Sequence, residues 1–259
     1  DGENYARRWA DCVVGDKEHI ITMPRWRSDI MHPIDIVEDV AIGYGFEKLP
    51  QISSSIHIDA IPLKSSNLKR RISESLMASG LQEVQSLTLS NEKDQFELMR
   101  WTAADSITSI SNPITSDHTI LRQFILPSLL RLLASNRHHE LPQRVYELGA
   151  VVRDSSNYDR FAWASAEVGG GFSLAKGIVL GLFRDLGANL DMVDFLPTET
   201  GHGPWIAGRG SLVKYSEHVV GEFGEISPEV SYSFGIKSPI NAGEFDVVAL
   251  GSLISDPVT

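Results

Sequence analysis

Residues 144–168 read RVYELGAVVRDSSNYDRFAWASAEV. Two β-branched and aromatic runs, Arg144–Arg153 and Phe161–Val168, flank the turn-rich DSSNYD, which predicts a pair of antiparallel strands. Before them, Pro127 opens a helix in which Leu126, Leu129, Leu130 and Leu133 recur at helical spacing. After them, Gly169 to Gly171 lead into a helix with Phe172, Ala175, Val179, Leu182, Phe183 and Leu186 on one face. Ser211–Tyr215 and His218–Phe223 predict a hairpin around Ser216-Glu217, and Ser227 caps a short helix with Pro228 at its first position and Gly235 beyond it. Glu244–Leu250 is read as a final strand. Such antiparallel runs interrupted by helices point to an α+β fold, a mixed sheet with helices on one side.

Upstream, Ser65 or Ser66 can cap a helix that buries Leu68, Ile72, Leu76 and Met77, stops at Gly80 and turns Lys69, Arg70 and Arg71 outward. A strand over Val84–Leu89, a short helix within NEKDQFELMR and a β-like run at Ile107–Ile110 follow. Nearer the start, IITMPRWR (residues 20–27) reads as a strand entering an extended Pro segment. Pro33 then suits a first helical turn, with Ile36, Val37, Val40, Ala41 and Tyr44 as its apolar stripe and Gly43 and Gly45 at its end. From Glu47 to Lys64 there is no helical period. The expected division is a small helical domain over 1–50, a linker over 51–64 and a main module over 65–259.

With 259 residues, 42% of them apolar and 22% charged, the chain can bury one large core or two modest ones. A disordered tail, a repeat array and a disulfide-stapled mini-protein are excluded. No apolar run approaches the roughly 18–20 residues of a spanning helix, and no signal pattern opens the chain, so a cytoplasmic protein without a membrane segment is expected. Cys12, the single cysteine, has no partner for an internal disulfide. A start at Asp1 reads as a piece of something longer. The net charge of −11 argues against coating a phosphate backbone. Arg209 is the last arginine, and only Lys214 and Lys237 are basic after it.

Asp29 precedes the first helix, and Asp35, Glu38 and Asp39 share one face of it at i, i+3 and i+4. Repulsion at that spacing invites a hard divalent ion, most naturally Mg²⁺, yet first-turn acids are also favoured by the helix dipole and solvated, and both readings stay open. Gly169 to Gly171 lack the Lys-Ser/Thr of a phosphate-binding loop and read as a turn. His138 and His139 lack metal-ligand spacing and are expected at a helix C-terminus. Trp101, Trp163 and Trp205 are expected as core or interface anchors.

RSDIMHPIDIVEDVAIGYGF (Arg27–Phe46) followed by SNPITSDHTILRQFILPSLLRLLASNRHHELPQRVYELGAVV (Ser111–Val152) resembles the β subunit of phenylalanyl-tRNA synthetase of the archaeal and eukaryotic type. FSLAKGIVLGLFRDLG (Phe172–Gly187) and GRGSLVKYSEHVVGEFGEISPEV (Gly208–Val230) resemble later segments of that family in the same order. The resemblance implies an antiparallel class II synthetase sheet with flanking helices, preceded by the end of a small helical, DNA-binding-like domain. It implies a non-catalytic module packed against the synthetase α subunit in an α2β2 heterotetramer serving tRNA(Phe). ATP, phenylalanine and the tRNA 3′ end would meet on α, leaving no catalytic or cofactor-binding residue here. It also implies a Mg²⁺ site, shared with α, on Asp29, Asp35, Glu38 and Asp39. The helices at Leu68–Met77 and Leu126–Leu133 are candidate interface elements, or else face the chain's own sheet.

Active class II synthetases clamp ATP with an arginine two residues before a strand glutamate and with a second arginine near the C-terminal motif. Here the strand reads Arg144-Val-Tyr-Glu147, and a gap of three puts the two side chains on opposite faces. Nothing after Arg209 supplies the second arginine. Without two guanidiniums the electrostatic stabilisation of adenylate formation is lost. A stand-alone amino-acid-activating paralogue is the alternative, and an isolated RNA-binding module is disfavoured by the charge.

Overall fold

The computed structural model describes residues 11–14, 19–52 and 61–254. Its contacts divide the chain into two units, Asp1–Ala60 and Ile61–Thr259. In the first, strands β1 (Asp11–Val14) and β2 (His19–Thr22) pair antiparallel, and helix α1 (Pro33–Tyr44) follows. His32 and Asp35 form a reciprocal cap at the start of α1, and Pro33 adds a preset φ where no donor is needed. Of the apolar stripe expected on this helix, Val37, Val40 and Tyr44 are exposed and Ile36 and Ala41 half-buried, and α1 buries no residue fully.

The second unit is built on a seven-stranded sheet. Its strands are β3 (Gln82–Glu83), β6 (Gln143–Arg153), β7 (Ser156–Ala166), β8 (Val193–Pro197), β9 (Trp205–Tyr215), β10 (His218–Ile226) and β11 (Ile240–Asp246). Their spatial order is β3-β6-β7-β11-β10-β9-β8, antiparallel throughout except for the β3–β6 pair. A separate two-stranded patch joins β4 (Leu89–Ser90) and β5 (Ile120–Leu121).

Both faces of the sheet are covered. Helices α2 (Lys64–Ala78), α4 (Phe172–Asp185) and α6 (Val247–Leu253) lie on one, where Ile72, Leu76, Val179 and Phe183 meet Phe161, Trp163 and Phe245. Helix α3 (Leu126–Ser135) and the short α5 (Pro228–Ser233) lie on the other, where Leu126, Leu129 and Leu130 meet Val151, Ala162, Ala164 and Ala242. The alanines under α3 leave room for its leucines, each worth about 1.5–3 kcal/mol when fully buried. The helices therefore sit on two sides, where one was expected.

Several boundaries differ from the sequence reading. The β6–β7 hairpin turns at Asp154-Ser155 alone, with φ of 48° and 58°, so Ser156–Asp159 of the expected loop are strand. Two residues in the left-handed region match the twist of the flanking strands, which permits the tighter turn. The final strand ends at Asp246, whose side chain accepts from Ala249 N at 2.9 Å and starts α6, so the apolar run beyond it is helical. The start of α2 is Lys64, with no side-chain cap from Ser65 or Ser66. Met77 is exposed, not buried, and Arg71 points inward to the carbonyl of Leu186. Val84–Leu89 forms no continuous strand, the NEKDQFELMR segment holds a π-helical turn at Lys93–Glu97, and Ser109 makes only a single bridge to Ile120. His138 and His139 lie beyond the end of α3 with their rings in tilted contact.

Both helix stripes considered as interface elements face the chain's own sheet, with Ile72, Leu76, Leu126, Leu129, Leu130 and Leu133 buried. Trp101, Trp163 and Trp205 are buried core anchors.

Candidate functional site

The face under α3 is where buried charge collects. Glu147 on β6, Arg160 on β7, Glu244 on β11 and Glu222 on β10 share it, since Glu244 is the register partner of Ala162 and of Glu222. Burying an ion costs several kcal/mol unless it is paired and hydrogen-bonded, so each partner matters.

Arg122 and Glu147 are each 2% exposed and pair at 2.7 Å. Arg122 reaches this place through the segment leading into α3, and spends its other donors on the Ala150 carbonyl at 3.0 Å and the Ser86 hydroxyl at 2.8 Å. Ser86 donates back to the second oxygen of Glu147 from both its hydroxyl and its backbone N–H. A Cβ at Gly149 would stand 2.7 Å from Nη2 of Arg122, so glycine is what admits the guanidinium.

Glu244 is saturated in the same way. One oxygen accepts from Arg160 Nε at 2.7 Å, and the other accepts from the backbone N–H groups of Ile125 and Leu126 at 3.0 and 2.9 Å, capping α3 from the floor of the sheet. The approach to α3 is stitched down further by Gln95, whose Oε1 accepts from the N–H groups of Gln123 and Phe124. Burial pushes the Glu222 carboxyl up from its ordinary value, and the 3.0 Å bond donated by Trp205 Nε1 offsets this only in part. The face is thus occupied by the chain's own side chains and by a helix. Among the described residues no Ser/His/Asp order is presented on it.

Arg144 stands apart. It is the register partner of Ser165, on the same side of the sheet as Tyr146 and Trp163 and opposite Glu147. Its Nη2 donates to Glu167 at 2.5 Å. Burial pushes the Glu167 carboxyl up, but hydrogen bonds from Arg144 and Ser165 outweigh it and hold the group below its usual range. Gly171 precedes α4 without a side-chain cap.

The four acids expected to hold an ion behave differently from one another. Arg27 donates to Asp29 at 2.9 Å and to Asp39 at 2.8 Å. The hydrogen bond from Arg27 holds Asp29 below the usual carboxylate range. Asp35 Oδ2 accepts from the N–H groups of His32 and Met31, both at 2.8 Å, and these bonds lower it likewise. Glu38 is exposed. Among the described residues no group of three or more His, Cys, Asp or Glu side chains is placed to hold a metal ion. These acids alone do not fit a cation site, since Arg27 is the counter-ion that two of them already have.

Arg122, Arg160, Glu244 and Gln95 were not singled out from sequence. The available signal was a charge or amide inside an apolar run, as in Ile120-Leu-Arg-Gln-Phe-Ile-Leu126, because such residues are seldom buried unless paired.

Comparison with known families gives two matches, the phenylalanyl tRNA synthetase beta chain CLM domain over residues 49–247 and the tRNA synthetase B5 domain over residues 10–46. Among curated relatives, the phenylalanine–tRNA ligase beta subunit of Methanothrix thermoacetophila is 35% identical over 227 residues, covering 88% of this chain and 41% of its own length. That of Archaeoglobus fulgidus is 33% identical over 250 residues, covering 95% of this chain and 45% of its own length. The chain thus spans less than half the length of these relatives. A solved structure of the pyrrolysyl tRNA synthetase PylSc of Desulfitobacterium hafniense superposes with a TM-score of 0.58 at 12% identity, covering 74% of this chain and 73% of that one. This likeness supports a class II synthetase fold. Among the described residues no helix is long and apolar enough to cross a membrane.

Proposed function

Since the chain belongs to the phenylalanyl-tRNA synthetase beta chain family, we propose that it is a non-catalytic part of a phenylalanine–tRNA ligase β subunit, supporting an α subunit that carries out ATP-dependent attachment of phenylalanine to tRNA(Phe). The observation that carries the silent role is the closed face. Where a nucleotide would need free guanidiniums and an open floor, Arg122, Arg160, Glu147 and Glu244 are spent on each other and on the backbone that holds α3. Arg144, the other candidate, lies on the opposite side. A stand-alone activating enzyme is disfavoured by the same arrangement.

The proposal extends to an α2β2 assembly in the cytoplasm and to a Mg²⁺ shared with α near Asp29, Asp35, Glu38 and Asp39, for which α would have to supply the remaining oxygens. Four carboxylates, hard oxygen donors, within residues 29–39 support that reading. No step of the chemistry runs through the ion.

Gel filtration of the chain mixed with its α subunit is expected to show a joint species, and separate elution of the two would sink the proposal. Glu38→Ala, which disturbs no helix cap, is expected to weaken Mg²⁺-dependent assembly while leaving the chain's own Tm unchanged. Equal assembly with and without that carboxylate counts against the ion.

A further inference from the structure

A cavity of about 420 Å³ opens where α3 ends beside β3 and β6, with Gly80, Gln82, Asn136, His139, Gln143 and Arg144 in its wall. Among the described residues no Asp or Glu lines it, in a chain with 34 of them. Its shape is fixed by Gln143, whose amide donates to the carbonyls of Asn136 and His139 at 3.0 and 3.1 Å. Arg144 is anchored through Nη2 on Glu167, itself held by the Ser165 hydroxyl at 2.6 Å. The remaining donors of this guanidinium are unspent. Nε is buried without a hydrogen-bond partner, and Nη1 stands 3.6 Å from where a Cβ of Gly80 would be, in a side chain 33% exposed. Gly80 has a φ of 81°, so the wall facing Arg144 is a turn of backbone that brings no side chain of its own.

We propose that this cavity is an oxyanion site, taking a carboxylate or phosphate group on the guanidinium of Arg144, with His139 and Gln82 in the surrounding wall. Glu167 orients the arginine from outside the cavity and lowers the local field without occupying the space. A planar guanidinium with one edge fixed and donors to spare matches such a group, and charge-assisted bonds of this kind are about twice as strong as neutral ones. This role is independent of the subunit assignment, and it accounts for an arginine that the synthetase chemistry does not use.

Calorimetric titration of the full chain with inorganic phosphate, and separately with acetate, both against chloride at constant ionic strength, tests it. Saturable binding of either ion is expected: phosphate alone identifies a phosphoryl ligand, acetate alone a carboxylate, and both the shared chemistry. Arg144→Gln is expected to weaken binding at least about tenfold. Glu167→Gln, which keeps the arginine and removes its competing carboxylate, is expected to tighten it, and carries the test should Arg144→Gln fail to fold. No binding of either ion by the unaltered chain, undiminished binding in Arg144→Gln, or unchanged or weaker binding in Glu167→Gln would overturn the proposal.

Discussion

At Glu244 three donors meet one carboxylate, the guanidinium of Arg160 and the N–H groups of Ile125 and Leu126 at the start of α3. Removing it leaves a nearly buried arginine without its close partner and a helix start uncapped. Glu244→Ala is therefore expected to cost about 3–5 kcal/mol, read as a lower urea midpoint at unchanged slope. Its neighbour Glu222 behaves in the opposite sense. Its folded-state carboxyl is raised by burial, so its contribution is fully present below the unfolded carboxyl range and is lost as pH rises through the folded value. Glu222→Gln should match the parent near about pH 4 and gain in relative Tm as pH rises toward neutrality. A Tm difference that does not change with pH would contradict this. Residue roles of this kind were only half legible. The alternation rule separated Arg144 from Glu147 without any structure, whereas the partners of Glu147 and Glu244 come from segments 25 and some 119 residues away, and sequence spacing carries no such pairing.

Elements were read more securely where local chemistry sets them. Ser227-Pro228 starts a helix through a hydroxyl that accepts from Val230 N, and the leucines of α3 recur at the spacing that a packed helix needs. Misreadings fell where two local rules compete. Asp154-Ser155-Ser156-Asn157-Tyr158-Asp159 is rich in turn formers, but cross-strand pairing from Ser156 onward outweighs that preference and leaves two residues to turn. Both adopt positive φ without being glycine or asparagine, which costs each up to about 1–2 kcal/mol. Changing Asp154-Ser155 to Asn-Gly should raise the melting temperature without altering the hairpin. A fall in Tm would mean that the Asp154 bond from the Ser106 hydroxyl, at 2.6 Å, outweighs the relief of strain. The run after Glu244 reads as strand because Val247, Val248 and Ala249 suit one by composition, while Asp246 caps a helix.

On the scale of the whole molecule, the α+β class followed from the order of runs, but the second covered face did not. A leucine-rich stripe says that a helix is buried, not which side of a sheet it covers. That distinction carries the proposed function, because α3 lies over the face where charged groups gather and its start is fixed by Glu244. The acids of the α1 region illustrate the same limit from the other side. Their spacing was visible, but the claim of Arg27 on Asp29 and Asp39 was not.

The proposed role, the frame of a class II synthetase without its chemistry, is tested by phenylalanine-dependent ATP–pyrophosphate exchange with the purified chain alone. The expected rate equals that of buffer, rising to a full signal only when the α subunit is present. Exchange above background by the chain alone, dependent on phenylalanine and ATP together, would contradict it.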